Sequence, residues 1–153
     1  MVISSILASC GPSKDETRKY LSSVSSILKD SQKRANEAWT SVGAFSELHD
    51  GYEKAIRHQP SDGVDPIVVA KVHHVAKCGI VLLDEKDGEL AAAFKGGLIG
   101  AALALDFGGV TWGSSSAGAF SILSDDQSKE NHAAERFDDA FNDLHQYVLE
   151  KGY

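Results

Sequence analysis

From Leu21 to Ile56 the apolar positions recur at alternating steps of three and four: Leu21, Val24, Leu28, Ser31, Ala35, Ala38, Val42, Phe45, His49, Tyr52 and Ile56. A strand cannot keep that rhythm, because its side chains alternate faces at every residue. A 3.5-residue period held this long is the seam of a coiled coil. The seam is imperfect, since Ser31 and His49 are polar and Ala35 and Ala38 are small. Ile27, Trp39 and Leu48 widen the stripe to one flank, which suits a helix packed inside a domain better than a narrow zipper. One unbroken helix over residues 13–58 would be about 65 Å long at 1.5 Å per residue. That exceeds a compact chain of 153 residues. The pattern therefore predicts a helical hairpin or a bent long helix over 13–58. Gly43, Asp50-Gly51 and Ser31-Gln32 are candidate breaks, and the favoured end of the first helix is between Asn36 and Ser41 or beyond.

Local signals frame this part. Ser13 and Glu16 fit a capping box, and Asp15 and Glu16 suit the positive end of the helix dipole. Pro60 and Gly63 stop the second helix near His58. Pro66 then introduces a stretch rich in Val and Ile from Ile67 to Leu83, which reads as strand, bent at Gly79. In that reading Val68, Ala70, Val72, His74, Ala76, Cys78, Ile80 and Leu82 share one face. Lys71, His73 and Lys77 share the other. Residues 84–88 become a hairpin turn, with further strands following up to about Ile122. Ser124 to Gln127 resembles a cap, and Phe137, Phe141, Leu144 and Val148 form an apolar helical stripe flanked by Ala133, Ala134 and Ala140.

The expected fold class is α+β. It comprises the N-terminal helical hairpin or bent long helix, an antiparallel sheet or partial barrel of four to six strands, and a C-terminal helix packed on the sheet. One domain is expected over 1–153, helical at 13–58, β at 64–123 and helical at 125–150.

The net charge of −7 argues against a nucleic-acid binder, which needs cations to neutralise phosphates. The acidity gathers in residues 124–153, which hold three Lys/Arg against eight Asp/Glu. This reads as a solvated helix face. Cys10 and Cys78 are too few for a disulfide framework, which favours a reducing compartment. Leu7-Ala8-Ser9-Cys10 spells a lipobox, but no cationic region precedes it and its apolar stretch is short. The expected location is cytoplasmic, or secreted without a recognisable signal.

No chemical motif stands out. The six histidines show no HExxH and no i, i+4 pair among themselves, so no metal or cofactor is expected. Residues 112–118 lack both the GxSxG elbow and the lysine of a phosphate loop. Cys78 reads as a buried small hydrophobe, and no catalytic residue is assigned. The Gly/Ala-rich segment 94–113 holds only ten uncharged residues between Lys95 and Asp106, about half of the ~20 a helix needs to span a bilayer.

The leading expectation is a non-enzymatic interaction protein, with Leu21, Val24, Leu28, Val42, Phe45 and Tyr52 contacting a protein partner or a second copy. The alternative is a membrane- or lipid-interacting effector acting through Phe94, Leu98, Leu103, Phe107 and Trp112. The third is a small enzyme whose site gathers His73 or His74 with a carboxylate.

Overall fold

The computed structural model describes residues 11–85 and 128–153. They form four helices: α1 (Lys14–Glu37), α2 (Ser41–Arg57), α3 (Pro66–Glu85) and α4 (Ser128–Lys151). Cross-helix pairs set the directions. Arg34 near the end of α1 pairs with Glu47 in the first half of α2, His49 of α2 with Asp84 at the end of α3, and Lys71 near the start of α3 with Asp143 in the second half of α4. The helices therefore run up, down, up and down. One end of the bundle gathers the starts of α1 and α3 with the end of α4. The opposite end holds the α1–α2 turn and the end of α3. Helix α3 ends and α4 begins at that opposite end.

The expected α+β class is overturned, because among the described residues there is no strand. The region expected to be β at 64–123 begins with α3, a helix of 20 residues. Its buried positions are Val68, Val72, Val75, Ala76, Gly79, Leu82 and Leu83, a helical stripe. Ala70 and His74, assigned to the buried face of a strand, are exposed. Two local signals favour the helix: Pro66 occupies its first position, where no N–H is needed, and Asp65 caps it. The Asp65 carboxylate accepts from the Ile67 N–H at 2.9 Å. Packing on both sides outweighs the β preference of Val and Ile, which is a weak local bias. Asp84 and Glu85 belong to α3 rather than to a hairpin turn, and the remaining expected strands lie outside the described residues. Among the described residues the C-terminal helix accordingly packs on α3, not on a sheet.

The heptad region is two helices. Ala38 leaves the helical region at ψ 134°, and Thr40 caps α2 by accepting from the Gly43 N–H at 3.0 Å. None of the glycines makes the break. Gly51 instead admits α1. The Ser31 hydroxyl donates to the Glu47 carbonyl, and a Cβ on Gly51 would lie 2.3 Å from Ser31 Oγ. The polar seam position is thus a close crossing with its hydroxyl satisfied. Gly79 does the same for α3. A Cβ there would stand 2.5 Å from Tyr52 Cζ, so the strand bend expected at Gly79 is a seat for an aromatic ring. Tyr52 also meets Phe137 edge-on at 6.3 Å, joining α2 to α4 across the core. Phe137 is 2% exposed, and truncating it to Ala would cost ~3–5 kcal/mol.

Ser13 completes half of its expected box. It accepts from the Glu16 N–H at 3.3 Å, while its own N–H donates to the Gly63 carbonyl at 2.7 Å. Glu16 turns outward to Lys19 and Ser61. Beside this junction lies Asp65, only 3% exposed. It accepts from Tyr153 Oη at 2.6 Å and Tyr147 Oη at 3.0 Å, and its N–H donates to Thr17 Oγ1. Gly152, with φ +68°, makes this reach possible. It closes α4 with the Tyr153 N–H bonded to Val148 and its own N–H bonded to Leu149, which turns Tyr153 back onto the bundle.

Candidate functional site

The helix register sets a cleft between α3 and α4. Lys71 pairs with Asp143 and its ammonium lies 5.4 Å from the Tyr147 ring centre. Two turns further along α3, the small side chain of Ala133 faces the helix and leaves a partly open cavity of ≈ 130 Å³. His74, Lys77, Cys78 and Val81 line it from α3, and Ala133 and Arg136 from α4. Because the segment is helical, His74 and Cys78 stand one turn apart on the same face. His74 Nε2 lies 4.0 Å from Cys78 Sγ.

The electrostatics of the cleft are one-sided. Among the described residues, Lys77 and Arg136 are the charged side chains that line it, and no carboxylate does. Burial pushes the Cys78 thiol above its ordinary pKa, while Arg136 opposes that shift. The thiol therefore stays protonated near neutrality in the unliganded protein. Two donors, an imidazole and a thiol, are too few to close a metal site alone. Among the described residues no three His, Cys, Asp or Glu side chains converge.

His73 does not line the cleft. Its Nε2 is buried without a hydrogen-bond partner, and burial first, then Lys77, lowers its basicity. Among the described residues, neither His73 nor His74 meets a carboxylate in a cavity. His58 stacks on Tyr20 at 5.5 Å, and burial pushes the unpartnered Tyr20 hydroxyl up to about 12.

A second feature stands at the α1–α2 turn. Trp39 is 97% exposed and Val42, on the first turn of α2, is 72% exposed. Large aromatic side chains are ordinarily mostly covered, so among the described residues an indole left almost wholly in water is the outlier. Ile67 and Leu149 are also exposed, but on α3 and α4 towards the other end.

The six residues expected to contact a partner divide. Leu21, Val24, Leu28 and Tyr52 are buried among the chain's own helices, Phe45 is half-buried, and Val42 is exposed. Phe94, Leu98, Leu103, Phe107 and Trp112 lie outside the described residues, as does Cys10. Sequence reading missed the His74–Cys78 pair. Its signal was the four-residue spacing, which means juxtaposition only on a helix. It also set Trp39 on the packed flank, although Thr40 marks a cap and places Trp39 in the turn.

Pro66–Asp84 is long and apolar enough to cross a membrane, but it is the bundle's middle helix, contacted by α2 and α4. No protein-family model, curated protein or solved structure matches the chain.

Proposed function

We propose that this chain is a non-enzymatic interaction module whose anchor is the α1–α2 turn. The observation that carries this reading is Trp39, 97% exposed beside Val42. Tryptophan is enriched among the few residues that supply most interface binding energy, because a rigid ring buries a large area at little entropy cost. A partner that covered Trp39 and Val42 would remove apolar surface from water without disturbing the core. The partner is a protein with an apolar pocket. The net charge of −7 disfavours an anionic lipid surface as the occupant.

A benzoylphenylalanine introduced in place of Trp39 tests this in the cells that make the protein. Illumination is expected to give one discrete adduct with another polypeptide, lost in a Val42→Asp variant. An adduct with a second copy of the chain would replace the hetero-partner by a homodimer. Adducts with lipid alone would overturn the protein-partner reading.

One observation favours a membrane as a second reading. Helix α3 ends and α4 begins at the same end of the bundle as Trp39, and the sequence between these two helices includes the Gly/Ala-rich run 94–113. Flotation with anionic liposomes at pH 7.5 and pH 5 separates the two. Trp39-dependent flotation supports the membrane, and its absence at both pH values removes it.

A further inference from the structure

We propose that Cys78 is a modification site, where its thiol exchanges with small anionic disulfides to give a mixed disulfide seated in the α3–α4 cleft. The inference is independent of the Trp39 reading and rests on a different surface. Three features converge on it. Cys78 is partly exposed and lines a cavity of ≈ 130 Å³, so a small molecule can reach the sulfur. His74 Nε2 stands 4.0 Å from Sγ, in position to take the thiol proton. Among the described residues, Lys77 and Arg136 are the charged side chains of the lining, so the cavity selects for negative charge.

The step balances as an ordinary exchange. The Cys78 thiol gives its proton to His74, and the thiolate attacks one sulfur of the disulfide. A new S–S bond forms to Cys78 as the old one breaks. The departing sulfur keeps the electron pair, takes a proton from water or His74, and leaves as a thiol. Cys78 is oxidised, half of the reagent is reduced, and no further oxidant is needed. Oxidised glutathione, which is doubly anionic at neutral pH, is the probe of this class.

Burial holds the free thiol protonated, so the protein gains nothing over an ordinary thiol against an uncharged reagent. The gain comes from charge. The prediction is therefore an order of rates rather than high reactivity as such.

The test uses the full chain with Cys10→Ser, leaving one thiol, and follows adduct formation by intact-protein mass spectrometry. Three disulfides are compared: oxidised glutathione, neutral hydroxyethyl disulfide and cationic cystamine. Each rate is divided by that for a free cysteine peptide. The normalised rates are expected to fall in that order, with ~10-fold or more between the first and last at low salt. Added salt should compress the range, as it screens the two cations. Lys77→Gln and Arg136→Gln should each narrow it while leaving the circular dichroism spectrum unchanged. Equal normalised rates for the three reagents would overturn the proposal. So would an adduct formed only after denaturation.

Discussion

At one end of the bundle Asp65 gathers two tyrosine hydroxyls and a backbone N–H around a nearly inaccessible carboxylate. At the other end Trp39 projects into water from a three-residue turn. The first end ties three separate parts of the chain together: the start of α1, the α2–α3 connection and the C-terminal Tyr153. The second leaves a large apolar side chain almost wholly uncovered by the described helices. The contrast teaches where stability resides and where the proposed recognition would act. A closed polar network holds register at one end and leaves the other free to be covered by something else.

The largest expected effect comes from cutting the closed end. Asp65→Ala removes the cap of α3 and strands two tyrosine hydroxyls, and should cost about 3 kcal/mol in urea unfolding. A loss within the range of ordinary surface changes would dissolve the contrast between the ends. Next is Gly79→Ala, which lies between them. The added methyl group meets the Tyr52 ring, and overpacking of up to ~3 kcal/mol is partly offset by about 1 kcal/mol of better helix propensity. About 2 kcal/mol is expected, with both ends melting together. Two separate transitions would show that the ends are not one cooperative unit.

Tyr153→Phe keeps the ring and deletes one hydrogen bond, so about 1 kcal/mol is expected. Its pH dependence sharpens the test. Burial works to raise the Asp65 pKa, but the hydrogen bonds from Tyr153, the Ile67 N–H and Tyr147 outweigh it and hold the carboxyl below its ordinary value. A carboxylate held low stabilises the fold fully above its unfolded pKa of ~3.9, and loses that contribution as pH falls through its folded value. The stability gap between wild type and Tyr153→Phe should therefore be constant at neutral pH and close in acid. A gap that widened in acid would mean that the hydroxyl prefers the protonated carboxyl. The smallest effect belongs to the open end. Trp39→Ser should change stability by no more than ~0.5 kcal/mol while abolishing the proposed interaction. A large loss of stability would place the indole in the fold's own packing.

Much of the helical chemistry is legible in the sequence. The three-and-four rhythm of Leu21, Val24 and Leu28 marks helix, and Phe137, Phe141, Leu144 and Val148 mark the stripe that α4 buries. Ser13 announces the start of α1. The sheet was misread because Val68, Val72, Ala76 and Leu82 satisfy a two-residue and a helical period alike. Asp65-Pro66 was the arbiter, since an aspartate followed by proline is a helix start. Of the candidate cleft, Cys78 was visible only as an isolated thiol. Its partner His74 became adjacent once the segment was known to be helical, and Arg136 lies far away in sequence.

Local chemistry suffices for caps and periods because their partners lie within about four residues. Burial is different, because a stripe records that something apolar must cover it and not what does so. Only the packed bundle decided that the chain's own helices cover Leu21 and Val24, and that Gly51 and Gly79 are seats for neighbouring side chains rather than breaks. The same holds for Trp39 and Val42. Their sequence rhythm matches that of the buried positions, yet the α1–α2 turn carries them past the end of the helix interface, where the described helices leave them mostly exposed.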